Sequence, residues 1–250
     1  MAKEKTKEIT PMVEVKNISK AFPGVQALDD VSVKFLPGEV HAVVGENGAG
    51  KSTLMKILAG AYKQDEGTIR FQGEEVQLNH PVQAQNLGVA IIYQEFNLLP
   101  ERTVAQNIFL GREPSRFGVI NPPQLNKQTE DVLKELGVDQ MIKPTVLVSS
   151  LSVAEQQLVE IAKAVSINAK VLIMDEPTAS LTNTEVNLLF ELVDKLKAKG
   201  LAIIFISHRL SEVFGIADRI TVLKDGQLVG TKDISKVTTE DVVYMMVGRT

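Results

Sequence analysis

Gly45-Glu46-Asn47-Gly48-Ala49-Gly50-Lys51-Ser52-Thr53 carries the spacing G-x-x-x-x-G-K-[ST]. The residue types fit one task. Glycines let consecutive backbone N–H groups close around phosphate oxygens. A helix starting at the loop's end would turn its positive dipole toward the same anion. Lys51 would reach the β- and γ-phosphates, and the Ser52 hydroxyl would ligate Mg²⁺. From average residue usage, a chain this long meets the pattern by chance about 1% of the time. The flanking segments separate motif from accident: a buried-type run, Val40 to Val44, precedes it. A helical run with Leu54, Ile57 and Leu58 on one face follows it, and Gly60 can end that helix.

A second chemical feature is the apolar run Val171-Leu172-Ile173-Met174 closed by Asp175 and Glu176. Alone, two acids at a strand end are commonplace. Behind a phosphate loop, Asp175 is the carboxylate that holds Mg²⁺, and Glu176 is placed to orient or deprotonate an attacking water. Ser152 and Glu155 form a third feature, a capping box that marks a helix N-terminus. Such a terminus can face an anion, or it can be a capped helix start and nothing more.

The elements that position these groups alternate between strand and helix. Val13 to Ile18, Val31 to Phe35, Thr68 to Phe71, Val89 to Tyr93, Val171 to Asp175 and Ala202 to Ile206 read as strands. Helices are expected after Ser152, with Leu158, Ile161, Ala162 and Val165 on one face, and after Thr182 up to Gly200. Arg219 to Val229 reads as a hairpin turning at Asp225-Gly226. Residues from about Thr103 to Gly137 read as mostly helical, broken by Pro114 and Pro122-Pro123. The expected fold is α/β: a P-loop, RecA-like nucleotide-binding core with an antiparallel β subdomain and an inserted helical subdomain over roughly residues 95–165. Residues 1–10 are expected to be a solvated tail, and 11–250 one nucleotide-binding domain. In such sheets ligands sit at the carboxyl ends of the strands.

Over nearly its whole length the chain resembles the ATP-binding-cassette family. Leu151-Ser152-Val153-Ala154-Glu155-Gln156-Gln157 stands where that family has its L-S-G-G-Q signature, with Val153 and Ala154 replacing the two glycines. The resemblance implies that Ser152, with Ala154 beside it, contacts the γ-phosphate bound by an opposite cassette. It implies that Phe22 stacks on adenine, and that Gln94 touches Mg²⁺ and the attacking water. It implies that His208 is the switch histidine contacting the γ-phosphate. Thr182 stands where the common pattern has aspartate, which bears on crosstalk between the two ATP sites.

Finer motifs resemble the N-terminal cassette of ribose, xylose and galactose importer ATPases. These are Ala21-Phe22-Pro23-Gly24-Val25-Gln26-Ala27-Leu28, the Glu155-Gln156-Gln157 form of the signature, Ala179-Ser180-Leu181-Thr182, Ile206-Ser207-His208-Arg209-Leu210 and Met246-Val247-Gly248-Arg249. The resemblance implies an ATPase using ATP and Mg²⁺, in the cytoplasm on the inner face of the cell membrane. Its implied partners are transmembrane permease subunits, a second cassette (a homodimer mate or a tandem half) and, indirectly, a sugar-binding protein. Two alternatives come from other classes: a cassette that binds ATP but hydrolyses it poorly, and a soluble cassette acting on DNA or ribosomes.

Composition agrees with this reading. The 250 residues are 44% apolar and 23% charged, enough for a sizeable core. The net charge of -4 supplies no basic field for a nucleic-acid backbone, so no nucleic-acid partner is expected. No cysteine is present, which excludes disulfides and thiolate metal sites. No run approaches the roughly 20 apolar residues that span a bilayer.

Overall fold

The computed structural model describes residues 9–248. The tail expected over 1–10 falls mostly outside the described residues, as does Arg249. The chain opens with β1 (Val13–Phe22), β2 (Val25–Phe35), β3 (Val40–Val44), α1 (Lys51–Leu58), β4 (Glu66–Phe71) and β5 (Glu74–Val76). Four of these strands form an antiparallel sheet in the order β2-β1-β4-β5. Its inner face alternates as the sequence does: Val13, Val15 and Ile18 are buried while intervening residues are not. β1 and β2 extend further than hydropathy suggests and meet at Pro23-Gly24, where Gly24 takes φ 80°. That places Phe22 at a strand end beside a tight turn.

Next come α2 (Pro81–Leu87), β6 (Val89–Ile92), α3 (Val104–Ile108), β7 (Ser115–Arg116), β8 (Val119–Ile120), α4 (Pro122–Leu136) and α5 (Val153–Ser166). The segment from Thr103 to Gly137 is less helical than its composition suggests. α3 has five residues, and a two-stranded hairpin separates it from α4. Local chemistry gives the reason. Gly111 takes φ 72°, and Phe117 and Gly118 take φ 53° and 79°, the paired positive values of a tight hairpin turn. Pro122 and Pro123 then begin α4, behind the Asn121 cap.

The final stretch holds β9 (Val171–Asp175), α6 (Asn183–Ala198), β10 (Ala202–Ile206), α7 (Leu210–Ile216), β11 (Arg219–Lys224), β12 (Gln227–Asp233) and α8 (Thr239–Val247). Six strands form the second sheet in the order β12-β11-β3-β10-β9-β6. All its pairs are parallel except the β11–β12 hairpin at one edge. Both faces are covered, which explains the unbroken apolar runs. Val40, Ala42 and Val44 enter one core with Leu172, Met174, Phe205 and the buried faces of α4, α5 and α6. Val43, Ile173, Ile204 and Ile206 enter the other, beneath α1 and the antiparallel sheet. Burying each such side chain contributes about 1.5–3 kcal/mol. The register aligns Val43 with Ile206, Ile206 with Asp175, and Ile92 with Met174. The carboxyl ends of β3, β10, β9 and β6 therefore share one edge.

Candidate nucleotide site

The phosphate loop leaves β3 at that edge. Gly45 packs so tightly that a Cβ would lie 2.3 Å from the Leu223 carbonyl oxygen. Gly50 takes φ 98°, and a Cβ there would lie 2.5 Å from the Ala27 carbonyl oxygen. Both positions need glycine for space, and Gly50 also for conformation. Asn47 and Gly48 form the exposed tip, Ala49 is buried, and the loop closes with Ala49 N–H donating to Glu46 C=O at 3.1 Å. Ser52 and Thr53 open α1 with Ser52 exposed to solvent.

Lys51 is 9% exposed. Its ammonium donates to the carbonyls of Gly45 at 2.8 Å and Glu46 at 3.0 Å, so it lies over its own loop. Burial holds its pKa below the usual lysine range, opposed by the negative charges of Glu176 and Asp175. The lysine and the acidic strand end thus share one field.

Asp175 closes β9, and its carboxyl is held above the ordinary aspartate range. Burial is the main cause and Glu176 the next, with Lys51 and Lys56 acting against them. Two adjacent carboxylates in a partly buried site favour a cation. Mg²⁺ is bound by few protein oxygens, completed by water and substrate phosphates. The Ser52 hydroxyl and Asp175 carboxylate are oxygen donors of that kind, and the residues fit the ion.

Glu176 takes φ 48°, unusual for a glutamate. Its N–H donates to Ile206 C=O at 2.9 Å, and its carbonyl accepts from Ala179 N–H at 3.2 Å. The chain turns sharply here, directly after the end of β9. His208, two residues past β10, places Nδ1 3.1 Å from Glu176 Oε1. Gln94 lies two residues past β6 and is exposed. Its neighbour Tyr93 is raised in pKa by burial and then by the charge of Asp175, so this loop borders the same acid.

Phe22 is half-buried at the end of β1. Tyr62 meets it edge to face, with ring centroids 5.4 Å apart. The Lys20 ammonium sits 5.6 Å from the Phe22 ring. Sequence patterning does not single out Tyr62, which follows α1 in an ordinary polar loop. Ser152 caps α5, its hydroxyl accepting from Glu155 N–H at 3.3 Å and Glu155 accepting from Ser152 N–H at 2.8 Å. Among the described residues, Ser152 and Ala154 share no hydrogen bond or ion pair with the Lys51, Asp175, Glu176 and His208 group.

A family model described as ABC transporter matches residues 28–179. The chain belongs to the ABC transporter family. The match runs from the start of the phosphate-loop approach to the turn after Glu176. Among solved structures, the ADP conformation of an ATP-binding cassette of an ABC transporter is 28% identical. It superposes with a TM-score of 0.82 over 96% of this chain and 99% of that one. The putative ribose/galactose/methyl galactoside import ATP-binding protein 1 of Agrobacterium fabrum is 52% identical over 97% of this chain and 48% of its own length. The ribose import ATP-binding protein of Geobacillus kaustophilus is 50% identical over 95% of this chain and 48% of its length. The ABC cassette described here thus spans about half the length of the curated relatives it matches.

One buried pairing near this ABC site escapes sequence reading. Glu160, on α5, is 7% exposed, and its Oε1 accepts from Asn97 N–H at 2.9 Å. It ties the helix begun by Ser152 to the loop begun by Gln94. The partners stand 63 residues apart, so no local pattern marks them.

Proposed function

We propose that this cassette is the ATP-hydrolysing subunit of a monosaccharide importer. The observation carrying the ATPase reading is the pairing of Glu176 with His208 at the strand edge that also holds Lys51. Lys51 would release its loop carbonyls for the β- and γ-phosphates, exchanging neutral acceptors for charged ones. Ser52 and Asp175 would hold Mg²⁺, with Gln94 reaching it from the β6 loop; the ion would neutralise phosphate charge. Glu176 would orient and deprotonate the water attacking the γ-phosphate in line. His208, 3.1 Å away, would hold that carboxylate and contact the phosphate. Phe22, backed by Tyr62, would take the adenine face. Catalysis of this kind is mostly positioning and charge neutralisation.

Among the described residues the Ser152 side chain bonds only within its own capping box, and neither it nor Ala154 pairs with the chain's own acids, which is compatible with action on the nucleotide of a second cassette. That cassette would be a homodimer mate or a tandem half. The sugar assignment rests on relatives at 52% and 50% identity whose names specify ribose and galactose import. Among the described residues no helix is long and apolar enough to cross a membrane, and in this reading membrane permease subunits carry the sugar. The chain would then work in the cytoplasm against the inner face of the membrane, with the sugar-binding protein engaged only through the permease. We take residues 11–250 as one domain, with a helical lobe over roughly 95–165 built on α3, α4 and α5.

Phosphate release from ATP by the purified chain tests the reading. Turnover that requires Mg²⁺ and is lost in Lys51→Ala supports it. Turnover that survives Lys51→Ala unchanged refutes the site.

A further inference from the structure

We propose that Glu212 is a positioning residue that sets the distance between His208 and Glu176. The proposal rests on the ATPase reading in giving those two residues their roles. Glu212 lies on α7, four residues past His208. One carboxylate oxygen accepts from the Thr178 hydroxyl at 2.5 Å and from the Ser207 hydroxyl at 3.2 Å. The other accepts from Arg209 Nη1 at 3.1 Å. Thr178 stands two residues past Glu176, and Ser207 and Arg209 flank His208. A single side chain therefore grips the segment carrying the acid and both neighbours of the histidine.

The grip closes on itself. Ser207 Oγ accepts from Arg209 N–H at 3.0 Å. The Arg209 guanidinium reaches the carbonyls of Thr178 at 3.4 Å and Ala179 at 3.5 Å. Thr178 and Ser207 are each 2% exposed, so water competes little for these bonds.

His208 needs such a device. Its side chain is 60% exposed, and among the described residues its ring has no hydrogen-bond, ion-pair or aromatic partner besides Glu176. An exposed ring is free to change rotamer. Glu176 needs it too, because a glutamate at φ 48° persists only where its surroundings over-determine it. Glu212 meets both needs from outside the reacting atoms. It connects two loops that follow different strands, β9 and β10, and among the described residues shares no hydrogen bond or ion pair with His208 or Glu176.

The test is spectroscopic and needs no turnover. The chain has three histidines, so the His208 ring resonances can be assigned with a His208→Ala variant. In the parent chain, Glu176→Gln should displace the His208 resonances, because the two groups touch. In a Glu212→Ala background, Glu176→Gln should leave them in place. Glu212→Gln keeps one acceptor for the two hydroxyls but loses the ion pair with Arg209, so it should show a smaller loss of the same coupling. It also serves if Glu212→Ala does not fold. In turnover, Glu212→Ala should lower kcat on the order of 10- to 100-fold, the scale of a misplaced catalytic group. KM for ATP should stay within about twofold. A Glu176→Gln displacement of equal size with and without Glu212 overturns the proposal, as does a raised KM with kcat unchanged. Coupled resonances in a chain without turnover would support the positioning role and refute the ATPase reading instead.

Discussion

Lys51 Nζ donates to the Gly45 carbonyl at 2.8 Å, so the lysine is folded back over the loop that it ends. Burial penalises its charge, and its pKa is held down for that reason. A methionine of similar length would lose the charge and keep the packing. We expect Lys51→Met to weaken ATP binding about 10- to 100-fold, the worth of a charge-assisted phosphate contact. Thermal stability should hold or rise. Equilibrium nucleotide binding and thermal melts on the same sample check both halves. A destabilised variant with parental affinity would contradict the assignment.

The loop glycines separate space from conformation. Gly50→Ala meets the Ala27 carbonyl at 2.5 Å and the Leu28 side chain at 2.7 Å, at φ 98°. It should cost about 2–5 kcal/mol, combining left-handed strain with overpacking. Gly48→Ala meets nothing within 4 Å and bears only its φ of 85°. Its cost should be about 1–2 kcal/mol. Denaturant unfolding of the two variants reads the difference, and equal losses would show that the close packing at Gly50 is wrong.

Glu160 should give stability a pH slope. Burial raises its carboxyl above the ordinary glutamate range, against the pull of Lys163 and the Asn97 N–H. The native chain therefore keeps this proton to higher pH than the unfolded chain. Between the ordinary value and the raised one, the native state binds more protons, so this group's contribution falls as pH rises. Below the window the proton is bound in both states and no penalty applies. Glu160→Gln removes the slope. Its melting temperature, relative to the parent, should be higher at about pH 8 than at about pH 4. Melts across that range check the sign, and a gain confined to low pH would reverse the argument.

Much of this frame was legible in the sequence. Val40 to Val44, the glycine loop and the Leu54-Ile57-Leu58 stripe are contiguous, and contiguous patterns specify local structure. The capping boxes at Ser152 and Thr182 form as their spacing implies, and β11 and β12 turn at Asp225-Gly226. What stayed hidden depends on pairing across the chain. Glu160 meets Asn97, and Glu212 gathers Thr178, Ser207 and Arg209, only because parallel strands set their loops side by side. The β7–β8 hairpin was hidden for a different reason. Its positive-φ turn falls on Phe117-Gly118, and an exposed phenylalanine there reads as an apolar helical residue.

Two caps with the same chemistry should part in function. Ser152 with Glu155 and Thr238 with Asp241 each form a complete capping box. Replacing either cap by alanine should cost about 0.5–2 kcal/mol. Only Ser152→Ala should also lower ATP turnover, by about tenfold or more, because in the proposed pairing its helix start acts on a partner's nucleotide. Parallel melts and turnover assays decide it. Equal turnover in the two variants would reduce Ser152 to a cap.

The most direct test of the whole account is ATP turnover per chain as protein concentration is raised, with Glu176→Gln measured alongside. We expect specific activity to climb with concentration as cassettes pair. Glu176→Gln should bind ATP, accumulate as a dimer and turn over at least about 100-fold more slowly, the scale of a lost general base. Turnover independent of concentration, or near-parental turnover in Glu176→Gln, would contradict a shared site in which Glu176 acts beside His208.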